Sequence, residues 1–413
     1  MLTAAENERL TAVTPGAPMH ALWRRSWIPA IRAARLVADG APEKIRLLGE
    51  DYVAFRANDG RVGFFAEHCP HRGASLVLAR NEDCALRCLF HGWKIAVGGH
   101  VVETPNDRNP DFPRTVTVRH FPTREAAGIV WVYLGKGKPP RFSDFVFTHL
   151  PEEQVWARAA IVDCNWFQGL EGTVDPAHVA ILHSDITRSA QSLGTLTLLP
   201  EDAEPRFETE IRPWGMSVAA LRDLPGGERY VRVTEYIAPG LALIPYGADE
   251  PQQCIVTVPV DTGRTLQWNI FFHYARPLTA AERELMRYGT GTNDNNIYVA
   301  PKDQPRWGQD REAMRQGSHS GLPGVIVEDF VIAESMGTVA DRTSEFLCAA
   351  DISVTRLRRL LLGALDRIEA GGPALGEEEN FDFAAIRSTA ATFAAGADWR
   401  AQATVPQRET AST

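Results

Sequence analysis

The sequence predicts an α+β protein of two domains, a small N-terminal all-β domain and a larger domain in which helices pack against a curved antiparallel sheet. The chain has 413 residues, more than a single hydrophobic core usually serves. Short strand patterns fill residues 44 to 134, whereas longer strand patterns and a late amphipathic helix fill the second half. The Gly- and Pro-rich run 135–140 interrupts all periodicity between them and marks the boundary.

The bulk composition favours globular cores and small-molecule chemistry. Hydrophobic residues make up 44% of the chain, and 43 basic against 52 acidic residues give a net charge of −9 without a basic run. This balance provides no electrostatic surface for nucleic acid or an anionic membrane. No stretch reaches the roughly 20 apolar residues that cross a bilayer, and the N-terminus lacks signal-peptide features. We therefore expect a cytoplasmic protein without disulfides and without nucleic-acid or membrane partners.

The expected first domain follows a short leader. Residues 1–40 are predicted to be a helical leader that packs with the larger domain, with Thr3 and Glu6 in capping-box spacing. Residues 41–138 are predicted to form the all-β domain. Its strands are expected at 44–48, 52–56, 62–66, 95–96, 115–119 and 129–133.

The larger domain is expected to span 139–371, followed by a tail, 372–413, that carries no clear signal. A helix is predicted over 163–183, and a helical pattern recurs between Val354 and Ile368. The polar segment 290–324 is too long for a simple connector, which indicates a lid or a loop ordered by a partner subunit. A sheet folded around helices makes a cavity. Its strands are expected at 207–212, 217–221, 229–237, 241–245, 254–260 and 266–274.

Two Cys/His pairs in the first domain have the order of a mixed-ligand iron–sulfur site. Sixteen residues separate the pairs, and two thiolates on one iron with two imidazoles on the other define a Rieske [2Fe-2S] centre. A structural zinc ion is the alternative, although one intervening residue within the first pair is unusual for zinc modules. His68 and Cys84 are ligand types that break the two-loop symmetry, so we assign them to the surroundings. The four predicted ligands are Cys69, His71, Cys88 and His91.

A second metal-ligand run of a different type lies about 80 residues downstream. His178 and His183 with one carboxylate would form a two-histidine, one-carboxylate site that leaves positions open on Fe(II). Residues five apart lie about 140° from each other on an ideal helix, so the helix must end or bulge here. Pro176 fits a fresh helix start with Asp175 as its cap, and Asp175 could also accept the imidazole N–H that faces away from the metal.

The third ligand cannot be read from spacing. Each acidic candidate on the late helix could instead lie on a solvated face or form an ion pair. The role of Glu171 is equally open: it could accept a hydrogen bond from a metal ligand, or it could be only a polar residue of the helix. A one-electron carrier together with an iron site nevertheless indicates an oxygenase. The candidates for the third ligand are Glu328, Asp329, Glu334 and Asp341.

These motifs resemble those of the α subunits of Rieske non-haem iron aromatic-ring-hydroxylating oxygenases. The first residues of the chain and the acidic run 328–342 resemble the phthalate dioxygenase branch, and the similarity in layout covers residues 2 to 365. The resemblance implies a helix-grip, START-like catalytic domain with a mononuclear Fe(II). The resemblance implies that Asp329 is the third iron ligand. It also makes Asp175 an electron bridge between the Rieske centre of a neighbouring subunit and His178.

The resemblance further implies a terminal oxygenase that assembles as a homotrimer or a hexamer of stacked trimers. Electrons would come from NAD(P)H through a separate flavin and iron–sulfur reductase. We expect hydroxylation of an aromatic carboxylate by dioxygen to a cis-dihydrodiol. The alternatives are O-demethylation or ether cleavage of an aryl acid and, from another class, an electron carrier without oxygenase activity. Arginines that could pair with a substrate carboxylate are Arg206, Arg212, Arg229, Arg232 and Arg264.

Overall fold

The chain separates into two compact units in a computed structural model that describes residues 1–187, 205–224, 226–285, 297–299, 304–377, 381–394 and 396–402. One unit comprises residues 23–142, and the other comprises residues 1–22 together with 143–413. Strand Trp27–Arg32 lies inside the range expected to be a leader. It pairs antiparallel with Ile129–Tyr133, and this pairing draws residues 23–40 into the all-β unit.

The unit 23–142, described throughout, is built from short antiparallel strands in three small sheets, ordered β1-β10-β9, β2-β3-β4 and β5-β6-β7-β8. The strand predicted over 115–119 is wrong, because a 3-10 turn precedes it and Thr117 makes only an isolated bridge to His100. Buried Val53, Phe55 and Leu86 belong to the core that holds both cysteine loops. The strands are β1 (Trp27–Arg32), β2 (Glu43–Leu47), β3 (Glu50–Arg56), β4 (Val62–Ala66), β5 (Arg80–Glu82), β6 (Ala85–Arg87), β7 (Lys94–Ala96), β8 (Val101–Glu103), β9 (Thr123–Ala126) and β10 (Ile129–Tyr133).

One large sheet dominates the described part of the other unit. Its order is β12-β13-β14-β15-β16-β17-β11-β18, and β19 pairs with the first part of β14, on the edge whose last part pairs with β15. Neighbours are antiparallel except β11 and β18. The six predicted strands all form, whereas β11, β18 and β19 were not predicted. The strands are β11 (Val155–Val162), β12 (Arg206–Arg212), β13 (Gly215–Asp223), β14 (Glu228–Ile237), β15 (Leu241–Ile244), β16 (Gln252–Asp261), β17 (Arg264–Phe272), β18 (Ile297–Val299) and β19 (Thr389–Ala394).

Helices pack against this sheet and against one another. Helix α3 contacts β16, β17 and α8, and α9 contacts β12 and β13. The capping box of Thr3 and Glu6 is present, and the helical pattern after Val354 forms α9. No helix in the described ranges is both long and apolar enough to cross a bilayer. The helices are α1 (Ala4–Thr11), α2 (Pro18–Trp23), α3 (Trp166–Val174), α4 (Val179–Leu182), α5 (Ser184–Thr187), α6 (Ala280–Leu285), α7 (Arg311–Arg315), α8 (Val325–Ser335), α9 (Ile352–Glu369) and α10 (Trp399–Gln402).

Two sequence predictions fall partly outside the described residues. Of the long segment 290–324, residues 290–296 and 300–303 are outside; the rest contains β18 and α7. Of the tail, residues 378–380, 395 and 403–413 are outside, and its described part contributes β19 and α10.

Candidate active site

The two Cys/His loops of the all-β unit share one backbone pattern. The N–H groups of Cys69 and Cys88 donate to the carbonyl five residues later, at 2.8 and 2.9 Å. The carbonyls of the same cysteines accept from the glycine four residues later, Gly73 or Gly92, at 2.9 and 3.0 Å. Both glycines have a positive φ, +74° and +73°, which glycine adopts without strain. Two equivalent tight loops therefore carry the four candidate ligands.

The four side chains are spread over more space than one metal ion needs. Cys69 and Cys88 are buried, while the half-buried rings of His71 and His91 lie 4.5 Å apart at 73°. These four described residues do not bring three donor atoms within 4.8 Å of one another, although a tetrahedral zinc ion would hold all four donors about 4 Å apart. The donor set fits a two-iron cluster better than a zinc ion.

Burial sets the chemistry of the first cysteine. Burial raises the pKa of the Cys69 thiol to about 11, and hydrogen bonding from the backbone of His71 offsets this only in part. A thiolate at this position therefore requires a cation, which a bound metal provides, because coordination deprotonates a thiol. His68 and Cys84 are engaged elsewhere: Nδ1 of His68 lies 3.1 Å from the carbonyl of Gly73, and Sγ of Cys84 donates to Asn58 at 2.7 Å.

In the other unit, the helix predicted over 163–183 is broken into three. Strand β11 ends just before it, and α3 begins after Asn165, whose side chain accepts from the N–H of Phe167. Helix α3 ends at Asp175, where Oδ1 accepts the N–H of Ala177 at 2.8 Å before the chain resumes as α4. The chain does break and restart, but the expected start at Pro176 with Asp175 as its cap is wrong: Asp175 is the C-cap of α3, and α4 begins at Val179 with His178 at its N-cap position. His178 and His183 lie at the two ends of the single turn α4.

The two imidazoles converge on one carboxylate. Nε2 of His178 lies 3.6 Å and Nε2 of His183 3.1 Å from Oδ1 of Asp329 on α8. The three donor atoms lie within 4.8 Å of one another, and the two rings meet at 81°. Donors bound at about 2.1 Å and at right angles would lie about 3 Å apart. The arrangement fits one octahedral ion that takes these ligands on one face.

A carboxylate also lies behind each imidazole. Asp175 Oδ2 is 3.3 Å from Nδ1 of His178, and Glu328 Oε2 is 2.7 Å from Nδ1 of His183. Glu328 in turn accepts a hydrogen bond from Oγ of Ser320. A carboxylate at Nδ1 fixes the N–H there and directs the Nε2 lone pair toward the metal position.

Charge at the site favours a cation. Burial lowers the pKa of His183, but Asp329 and Glu328 outweigh it and raise that pKa to about 9. Without a metal the ring is therefore cationic at neutral pH, and a metal ion entering the site displaces its proton.

The remaining acidic candidates for the third ligand point elsewhere. Glu328 lies behind a histidine ring, and Glu334 accepts the backbone N–H of Asp163 at 3.0 Å. Asp341 is exposed and accepts hydrogen bonds from the turn that follows it. Of the four, Asp329 faces both imidazoles.

Glu171 forms a buried ion-pair network and does not contact the histidines. Its carboxylate binds Nη2 of Arg342 at 2.7 Å and Nε of Arg358 at 2.7 Å. Arg342 is fully buried, and Arg358 also pairs with Glu345 at 2.6 Å. The network ties α3 to α9 and to the chain that follows α8, so it supports the helices around the candidate metal-binding side chains.

Glu171→Ala should destabilise this unit by about 3–5 kcal/mol, because it leaves two buried guanidinium groups without their shared carboxylate. Urea unfolding of the purified protein, followed by far-ultraviolet circular dichroism, measures the loss. Glu312→Ala is the matched control, since its ion pair with Arg315 is exposed and contributes under about 1 kcal/mol. Equal midpoints for the two variants would contradict this role of Glu171.

A cavity of about 390 Å³ adjoins the two histidines and Asp329. Its volume lies within the range of small-molecule sites. The helix side of the cavity is largely apolar and includes Val179, Leu182, Ile186 and Ile326. The sheet side is polar and includes Arg232, Thr234, Gln253, Gln267 and Asn269.

Of the five candidate arginines, Arg232 lines this cavity. It is buried, its Nη1 lies 3.4 Å from the hydroxyl of Tyr230, and no carboxylate of a described residue forms an ion pair with it. The other four are neutralised within the protein. Their pairs are Arg206 with Glu208, Arg212 with Glu210, Arg229 with Asp223 and Arg264 with Asp261.

Comparison with known families and proteins agrees with the division of the chain into an all-β unit and a second unit of sheet and helices. Residues 26–122 match the Rieske [2Fe-2S] domain family, and residues 132–412 match the family described as LigXa C-terminal domain like. The chain is 36% identical to the phthalate 4,5-dioxygenase oxygenase subunit of Pseudomonas putida, over 97% of this chain and 94% of that protein. It is 32% identical to the 3-chlorobenzoate-3,4-dioxygenase oxygenase subunit of Comamonas testosteroni, over 92% and 93%.

Solved structures share the fold. The terminal oxygenase of carbazole 1,9a-dioxygenase from Novosphingobium sp. KA1 aligns with a TM-score of 0.58, over 86% of this chain and 97% of that chain. The sequences are 19% identical, so this likeness concerns the fold. It includes an all-β Rieske domain followed by a domain of antiparallel sheet and helices.

Proposed function

Because this chain belongs to the Rieske non-haem iron oxygenases, as the terminal oxygenase of a multicomponent system, we propose that it hydroxylates an aromatic carboxylate with dioxygen. Enzymes of this family are oxidoreductases that carry a Rieske [2Fe-2S] cluster and a mononuclear iron, and separate components supply their electrons. The observation that carries the proposed substrate class is Arg232, a buried cation on the cavity wall without a carboxylate partner among the described residues.

The same proposal assigns the metal ligands. The equivalent loops and the spread donor set support the cluster assignment, and the convergence of two imidazoles and one carboxylate supports the iron assignment. When bound, the cluster supplies single electrons and the iron activates dioxygen beside the substrate. The cluster ligands are Cys69, His71, Cys88 and His91, and the iron ligands are His178, His183 and Asp329.

The chain's own residues orient and shield this site. Asp175 and Glu328 hold the N–H at Nδ1 of each imidazole and so keep both Nε2 lone pairs on the metal side. The side chain of Asp175 is 21% exposed, so the same carboxylate can also accept a hydrogen bond from a group outside the unit. This exposure supports its proposed role as the electron bridge. The apolar helix side of the cavity excludes water around an aromatic ring.

Arg232 would bind the carboxylate of the substrate. A buried guanidinium is costly without an anion, and a carboxylate accepts two parallel hydrogen bonds from it. The ring of the substrate would then pack against the apolar residues of the helices that carry the iron ligands. The two curated relatives support the class, since phthalate and 3-chlorobenzoate are both aromatic carboxylates.

Arg232→Met should raise KM for aromatic carboxylates by about 100-fold, because a buried charge pair is lost, and leave KM for their methyl esters nearly unchanged. The assay uses the oxygenase with a separate flavin and iron–sulfur reductase, NAD(P)H and isotopically labelled dioxygen. Arg206→Met is the control, because Arg206 pairs with Glu208 and is exposed. Equal use of acids and esters by the wild type would overturn the substrate class.

The label also separates hydroxylation from its alternative. Two labelled oxygen atoms in one product correspond to a cis-dihydrodiol. A ring product with at most one labelled atom, released together with formaldehyde or a phenol, would replace the proposal by O-demethylation or ether cleavage of an aryl acid.

We also propose that the chain assembles as a homotrimer or as stacked trimers. Exposed apolar side chains support self-association. In the all-β unit, Phe90 is exposed and its ring centroid lies 3.9 Å from that of the proposed ligand His91. In the other unit, Phe346 is 98% exposed.

A further inference from the structure

The sheet side of the cavity carries a directed chain of hydrogen bonds. The hydroxyl of Tyr246 donates to Oε1 of Gln253 at 3.1 Å, and Nε2 of Gln253 donates to Oδ1 of Asn269 at 2.9 Å. All three residues are buried in the fold and line the cavity. We call these three side chains the amide relay.

The relay has a direction that ends in a donor. An amide has an acceptor end and a donor end, and in the structure the acceptor end of Gln253 meets the hydroxyl of Tyr246 while its N–H groups face Asn269. The oxygen of Asn269 is then occupied. Nδ2 of Asn269 forms no hydrogen bond with any described residue, although Asn269 is only 3% exposed. Asn269 lines the cavity, so its N–H groups at Nδ2 can donate to an oxygen of a bound ligand.

We propose that Asn269 donates a hydrogen bond to a second substituent of the substrate, an oxygen acceptor such as a methoxy, ether, carbonyl or carboxylate oxygen. This inference rests on the proposed function, in which Arg232 holds the first carboxylate. The substrate is then an aryl acid that carries a second oxygen acceptor. Asn269 is the specificity residue, and Gln253 is the positioning residue that fixes which end of the amide faces the cavity.

The relay discriminates between substituents because the donor end of the Asn269 amide faces the cavity. An amino substituent would meet an N–H group with its own N–H groups and leave both without an acceptor, whereas a methyl group would leave the amide unpaired. Gln267 also lines the cavity, and its side chain forms no hydrogen bond with the described residues, so its amide can present either end. Gln267 therefore accepts both kinds of substituent and does not discriminate between them.

The test measures binding of substituted benzoates to the holoenzyme without dioxygen, by isothermal titration calorimetry. The ligands are benzoate, the ortho, meta and para isomers of methoxy-, amino- and methylbenzoate, and the three benzenedicarboxylates. In the wild type, the best methoxy or second-carboxylate isomer should bind at least about 10-fold tighter than its methyl counterpart, and the amino isomer weaker than the methyl one. Comparing methoxy with carboxylate isomers identifies which acceptor the site takes.

Two variants separate recognition from folding. Asn269→Leu should bring the methoxy-to-methyl ratio of Kd close to one, with the visible cluster spectrum unchanged. Gln253→Leu should let the Asn269 amide turn, so that the preference for methoxy over amino disappears while both still bind better than methyl. A structural role alone would change all affinities together.

The outcomes distinguish this inference from the proposed function. If benzoates bind and depend on Arg232 but methoxy and methyl isomers bind equally, the function stands and the relay proposal is overturned. A preference for amino over methoxy in the wild type would also overturn it, because the relay would then run in the opposite direction. If no benzoate binds, the proposed function fails, and this inference fails with it.

Discussion

Asp329→Ala should reduce product formation by at least about 1,000-fold while the visible spectrum of the Rieske cluster stays unchanged. Asp329 is the carboxylate whose Oδ1 lies 3.6 and 3.1 Å from the two Nε2 atoms. Without it, two neutral imidazoles remain, and they hold Fe(II) weakly in competition with protons and water. Three measurements check this expectation. Iron and acid-labile sulfide per chain report the metal content, the visible spectrum reports the cluster, and product formed with excess reductase reports the activity.

Asp341→Ala is the matched control for that experiment. Asp341 lies on the same acidic run but is exposed, and it accepts hydrogen bonds from Thr343 instead of facing the imidazoles. The control should keep its mononuclear iron and its turnover. An Asp329→Ala protein that retains one iron beyond the cluster and still forms product would contradict the ligand assignment.

Asp175→Asn should leave both metal centres occupied and slow turnover by about 100-fold. The amide oxygen of asparagine can still accept the N–H of Ala177, so the local cap survives. The substitution removes the negative charge that Asp175 places at Nδ1 of His178, and the proposed electron bridge depends on that charge. Stopped-flow reoxidation of the pre-reduced cluster, in the presence of substrate and dioxygen, measures the step directly.

A neighbouring carboxylate provides the control for Asp175. Asp185 on α5 accepts the backbone N–H of His319 and contacts neither imidazole in any described hydrogen bond. Asp185→Asn should therefore reoxidise its cluster at the wild-type rate. If Asp175→Asn does the same with intact metal content, the bridge role is excluded.

The elements that local sequence specifies were the ones predicted well. The alternation of apolar and polar residues predicted six strands of the large sheet, and the Cys/His spacing predicted the two loops. Both patterns involve residues that are near neighbours in the chain. The helix predicted over 163–183 is wrong at Asp175 and Pro176, because α3 ends there and the chain resumes as a helix only at Val179. Strands β11 and β19 were missed because they lack a clear alternation and are stabilised by partners far away in sequence.

The proposed third iron ligand required the tertiary structure. Glu328 and Asp329 are adjacent on α8, and only the direction of that helix relative to α4 decides which one faces both imidazoles and which one lies behind His183. The phthalate dioxygenase resemblance suggested Asp329, whereas spacing alone left four candidates. The electron-carrier alternative is wrong, because the chain is a terminal oxygenase.

The sequence alone narrows the five candidate arginines to three. On a strand, residues i and i+2 lie on the same face, so the pairs of Arg206 with Glu208 and of Arg212 with Glu210 are predictable. The other three arginines have no acidic residue at those positions, and only the tertiary structure pairs Arg229 with Asp223 and Arg264 with Asp261 and leaves Arg232 on the cavity wall.

The mononuclear site is assembled from segments that are distant in the chain: His183 follows α4, Glu328 and Asp329 lie on α8, and Ser320 precedes it in a loop. An unfolded chain cannot gather these groups, so iron binds the folded unit and shifts the folding equilibrium by mass action. Iron occupancy is therefore a gauge of conformational integrity as well as of activity. Long exposure to a chelator that removes the mononuclear iron would yield protein that is proteolysed faster while its [2Fe-2S] colour persists.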